Sequence, residues 1–137
     1  MKRESFVADR ILIGSLEKRS TPITCGKDRI LFQQGDVPTG LYILQSGAAA
    51  LIMESASGGT VMCNEACPGS LLGLPGIVAN EPYTLTAMAR KDSIIRFVTR
   101  NDFEDLIRTE PALQLPVLQL LAAEVRSARQ ALSETSS

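Results

Sequence analysis

Between residues 5 and 17, Phe6, Ile11, Leu12, Ile13 and Leu16 recur among polar positions at a spacing that predicts a short amphipathic helix. Pro22 stops any continuation. From there to about Val98 the period shortens. Arg29–Gln33, Leu41–Gln45, Ala48–Met53, Thr60–Cys63, Thr84–Ala89 and Ser93–Val98 read as strands. Turn residues separate them: Gly35-Asp36, Val37-Pro38-Thr39-Gly40, Ser46-Gly47 and a flexible hairpin loop at Ser55–Gly59. Short strands punctuated by glycine predict a mainly β sandwich, barrel or roll.

The last third changes character. Arg100–Ile107 has a helix-start signature with Asn101 or Asp102 as its cap. A second helix is expected from about Pro111 or Pro116 to Leu132, with Ser133–Ser137 fraying. Along it Leu118, Leu121, Val125, Ala128 and Leu132 repeat at alternating steps of three and four. Such a seam either packs back on the chain's own β-roll or pairs two copies into a homodimer. Both readings stand at this point.

Composition then narrows the function. The 137 residues suffice for one domain, expected to divide into a helical segment at 1–20, a β-roll at 21–99 and C-terminal helices at 100–137. No apolar run approaches the roughly 20 residues of a membrane span, and no apolar signal core follows the start. A cytoplasmic protein without membrane contact is expected. The net charge is −1, with acids and bases spread along the length, so no direct nucleic-acid binding and no DNA-binding domain are expected.

Histidine is absent, which argues against most metal-dependent and acid–base enzymes, metal-dependent β-roll enzymes of the cupin type among them. The chain is expected to be no enzyme and to carry no cofactor. Cys63 and Cys67 form a CxxxC pair without a second pair, too few ligands for a metal site. They read as a buried strand cysteine and a loop cysteine. With Cys25 the count is odd, and no disulfide framework follows.

Two segments carry a family resemblance. Ile30-Leu31-Phe32-Gln33-Gln34-Gly35-Asp36, followed by Leu41-Tyr42-Ile43-Leu44-Gln45-Ser46-Gly47, resembles the opening strands of the cyclic-nucleotide-binding domain. Pro68 to Ala87 is similar, without a gap, to that family's phosphate-binding cassette, and Asp102–Ile107 resembles the short helix after the roll. The resemblance covers about residues 20 to 132 and implies a double-stranded β-helix, or jelly roll. It also implies a sensor of the catabolite-activator type, with the long last helix in the hinge and dimer position.

The same resemblance implies a departure. Nucleotide-binding members read Gly-Glu at the cassette, then Arg followed by a small hydroxyl or alanine. The glutamate holds the ribose and the arginine neutralises the phosphate with paired donors. Here Gly73 matches, but Leu74 stands at the glutamate position and Tyr83 at the arginine position, while Thr84 keeps the hydroxyl. Pro75 removes one N–H from the turn. A buried phosphate without its arginine forfeits about 3–5 kcal/mol. Losing the ribose contact adds roughly 1–3 kcal/mol. Arg90 and Arg96 are the basic residues that could stand in.

The expectation is therefore a regulatory domain that does not bind cyclic AMP or GMP in the usual way. Its pocket would be lined by Leu72, Gly73, Leu74, Pro75, Gly76, Tyr83 and Thr84, with Ile77 close by. Either it senses a less charged small-molecule effector, or it is filled by its own side chains and the domain works through protein contacts.

Overall fold

The computed structural model describes the backbone of residues 7–135 and the side chains as far as Arg126. Helix α1 (Arg10–Glu17) opens at Asp9, whose carboxylate accepts the N–H groups of Ile11 and Leu12 at 3.0 and 3.2 Å. Leu12 and Leu16, one turn apart, are its buried face. The helix starts later than the hydrophobic pattern suggested, and Phe6 lies outside the described residues.

Eight strands follow: β1 (Thr21–Ile23), β2 (Arg29–Phe32), β3 (Gly40–Ser46), β4 (Ala49–Glu54), β5 (Thr60–Ala66), β6 (Leu71–Leu72), β7 (Thr86–Ala89) and β8 (Ile94–Thr99). They pair antiparallel into two four-stranded sheets, β1-β8-β3-β6 and β2-β7-β4-β5. This is the expected β-roll, flanked by the expected helices. Two of the strands, β1 and β6, were not anticipated, and a short helix α2 (Leu74–Ala79) sits inside the cassette.

Strands β3 and β6 of the first sheet are buried on both faces, and strand alternation divides the sheet's side chains between two cores. Leu41 and Ile43 of β3, Leu71 of β6 and Val98 of β8 face the helices, where they meet Leu12, Leu16 and Leu74. Leu44 of β3, Leu72 of β6 and Ile95 of β8 face the other sheet, where Phe32, Ala49, Tyr83 and Ala87 complete the interior of the roll. A β-carbon at Gly40, where β3 starts, would overlap the Val98 carbonyl, so only glycine permits that approach of β3 to β8.

Helix α3 (Arg100–Thr109) is capped by Thr99, whose hydroxyl accepts the Asp102 N–H at 3.1 Å. The cap thus lies just before the expected Asn101 or Asp102. After a 3-10 turn at Pro111–Leu113, helix α4 spans Gln114–Thr135. No helix among the described residues is long and apolar enough to cross a membrane.

Candidate functional site

The cassette segment builds a small cavity between β6, α2 and the approach to β7. Gly73 caps α2 in the left-handed region at φ 91°, a conformation that a side chain would strain. Asn80 ends the helix, also left-handed at φ 55°. The chain then returns through Pro82 to Tyr83, whose backbone is fixed on both sides. Its N–H donates to the Asp36 carbonyl at 3.0 Å, and its carbonyl accepts the Gly35 N–H at 2.8 Å.

The Tyr83 side chain is 4% exposed and points into the roll. Its hydroxyl donates to the Gly40 carbonyl at 2.6 Å and accepts from the N–H groups of Thr39 and Gly40 at 3.2 and 3.4 Å. Its ring stacks on Phe32 with centroids 4.0 Å apart. The row continues through Tyr42, 5.9 Å from Phe32, to Phe97, 4.9 Å from Tyr42. Tyr42 gives its hydroxyl proton to the Leu31 carbonyl, and burial raises its pKa above the ordinary phenol value.

The Tyr83 ring also lies against the backbone of the cassette turn. A β-carbon at Gly73 would come within 3.0 Å of it, and one at Gly76 within 3.2 Å. At this turn a phenol packs over bare glycine backbone.

What remains is a cavity of about 50 Å³. Small-molecule sites typically enclose about 300–1,000 Å³, so this space is small beside them. Of the expected lining residues, Leu72, Gly73, Pro75, Gly76, Tyr83 and Thr84 border it. Leu74 does not. Its side chain leaves the opposite side of α2, fully buried among the helix-facing core, and Ile77 goes with it. The expectation that Leu74 replaces a ligand contact is corrected: it is a core residue.

Neither arginine stands in. Arg90 pairs with Glu65 at 3.2 Å and Asp28 at 3.8 Å, and Arg96 donates to Ser20. Neither borders the cavity. Sequence reasoning missed five residues that do: Phe32, Leu51, Leu71, Leu85 and Glu124. Glu124 is the unexpected one, since it comes from α4. Burial pushes its pKa up from 4.5 to about 7.

Outside the cavity, the apolar seam of α4 proves to be two stripes. Leu113 in the turn before it, then Val117 and Leu120, face the core, with Leu121 half-buried beside them. Leu115, Leu118, Ala122 and Val125 face outward. Leu118 and Val125 of the expected seam thus lie on the exposed side, at 60% and 52% exposure, and Leu121 packs on the core. The side chains of Ala128 and Leu132 fall outside the described residues. Cys63, expected to be buried, is exposed because it sits on the solvent face of β5. Among the described residues no three metal-ligating side chains come together.

With that geometry in place, the chain matches the model of the cyclic nucleotide-binding domain over residues 22–110. It is 26% identical over 115 residues to the anaerobic regulatory protein of Aggregatibacter actinomycetemcomitans, covering 84% of this chain and 44% of that protein. It is 25% identical over 124 residues to the transcriptional activator protein Anr of Pseudomonas aeruginosa, covering 90% and 50%. The chain spans about half the length of these curated relatives. Among solved structures, the Thermus thermophilus catabolite activator protein superposes with a TM-score of 0.79 at 23% identity, over 93% of this chain and 60% of that one. The c-di-GMP-responsive regulator CLP of Xanthomonas campestris gives 0.68 at 18% identity, over 93% and 61%. These likenesses show the fold.

The matches correct one expectation outright. Relatives that are transcriptional activator proteins overturn the inference of no direct nucleic-acid binding. That inference averaged the charge of a chain spanning about half the length of these relatives.

Proposed function

The chain belongs to the cyclic nucleotide-binding domain family, and from that premise we propose that it is a regulatory effector module, without catalysis, whose cassette has given up the nucleotide phosphate. One domain carries this role, with the roll between the N-terminal helical segment and the C-terminal helices, and it works in the cytoplasm. The observation that carries the reading is Tyr83. Its ring covers the turn, and its hydroxyl is committed to the Gly40 and Thr39 backbone.

An arriving phosphate would find no guanidinium or ammonium among the described residues, because those bordering the cavity include neither arginine nor lysine. It would also face the Glu124 carboxyl, a like charge once ionised. The effector is then smaller and less anionic than a cyclic nucleotide. Thermal melting in excess cyclic AMP or GMP tests this, since a ligand that binds the folded state raises the melting temperature. No shift is expected. A shift of several degrees with either nucleotide contradicts the reading.

The outward stripe of α4 favours a second, compatible role. Leu115, Leu118, Ala122 and Val125 repeat at steps of three, four and three on an exposed face, the period with which two helices pair. A homodimer through α4 follows from this face rather than from the seam that includes Leu121.

A further inference from the structure

The inward stripe of α4 ends on a charge. After Leu113, Val117 and Leu120, all buried at 2–6% exposure, the step of four leads to Glu124. That position calls for an apolar residue by period, yet it holds Glu124, half-buried and bordering the cavity together with Leu51, Leu72 and Leu85. Among the described residues the ion pairs are Arg19–Asp105, Arg90–Asp28, Arg90–Glu65 and Arg108–Asp105, and none includes Glu124. Arg126, two residues on, is exposed. The other titratable group on the cavity wall is Tyr83, whose hydroxyl is taken by Gly40. Among the described residues, then, no cation balances the Glu124 carboxyl beside this apolar space.

We propose that this cavity binds a small organic cation, a short-chain ammonium or amidinium. Glu124 is its counter-charge, the Thr84 hydroxyl at the rim a second acceptor, and Leu51, Leu72 and Leu85 enclose the alkyl part. The inference rests on the effector reading above and names the ligand class for the same site. Its polarity is the reverse of a phosphate site: an anionic wall in place of a cationic one. The cavity volume of about 50 Å³ limits the ligand to a few heavy atoms. Pairing in a poorly hydrated space favours the ionised carboxylate, so binding near neutral pH releases a proton from Glu124, whose pKa of about 7 leaves it part-protonated there.

The test is titration of the full chain with ethylammonium and acetamidinium chloride, followed by amide NMR shifts at Gly73, Thr84 and Leu85 and by calorimetry in two buffers of different ionisation enthalpy. Neutral acetamide and the Glu124→Gln variant are run in parallel. The expected result is saturable binding of the cations at least tenfold weaker in E124Q and for acetamide, with heats that differ between buffers as a proton is released. The isosteric variant keeps the fold, which its circular dichroism checks. Equal binding of acetamide and acetamidinium, unchanged in E124Q, overturns the cation assignment and leaves the effector reading standing. Absence of any saturable response to charged and neutral solutes alike overturns both.

Discussion

Tyr83 lies stacked on Phe32, ring centroids 4.0 Å apart and planes 21° apart, in the space between the two sheets. The pair joins the cassette to strand β2, and Tyr83 is part of the core. Removing its hydroxyl in Tyr83→Phe leaves the Thr39 and Gly40 N–H groups and the Gly40 carbonyl short of a partner. A loss of roughly 1–3 kcal/mol is expected by urea denaturation, and Tyr83→Ala should lose about 3–5 kcal/mol. A surface tyrosine would show neither.

Leu74 separates core from site. It is fully buried among the residues that face the helices and does not border the cavity. Leu74→Ala should destabilise by about 2–5 kcal/mol while leaving any solute titration of the cavity unchanged. Leu74→Glu should not fold, because the carboxyl would enter an apolar core unpaired. A folded L74E chain that binds cyclic AMP would contradict the placement.

Glu124 makes stability depend on pH with a definite sign. Its folded-state pKa of about 7 lies above the ordinary 4.5. The stability linked to its proton is full below about pH 4.5, falls through the interval, and is lost above about pH 7. The amount is on the order of 1–3 kcal/mol. E124Q should therefore melt progressively higher than the natural chain as pH rises from about 5 to about 8. A constant difference between the two would show that this carboxyl is not desolvated.

The two faces of α4 predict opposite phenotypes. Leu118→Glu, on the exposed stripe, should halve the mass in sedimentation equilibrium and barely change the monomer's stability. Leu120→Glu, 6% exposed and packed on the core, should cost several kcal/mol whatever the oligomeric state. An L118E chain with the same mass as the natural one would refute the homodimer.

The glycine-punctuated strands and the terminal helices were legible in the sequence, because each strand of four residues or more carries its own turn signals. Strands β1 and β6, three and two residues long, carry no period to detect. Helix α2 reads Leu-Pro-Gly-Ile-Val-Ala, a poor helix former held by the burial of Leu74 and Ile77. The direction of Leu74 followed from that helix and was invisible without it. In α4 apolar residues occupy both faces, so a single seam drawn through Leu118, Leu121 and Val125 mixed an inward stripe with an outward one. Glu124 reads as solvent-facing in any polar–apolar pattern, and only the fold brings it some forty residues back to the cassette.

Calorimetric titration of the natural chain with cyclic AMP and cyclic GMP asks directly whether the cassette still receives a phosphate. The covered turn, the absent arginine and the Glu124 carboxyl predict no saturable heat at any accessible nucleotide concentration. Saturable binding at micromolar strength or tighter would contradict it, since Tyr83 would then have to leave the Phe32 stack and another cation take the charge.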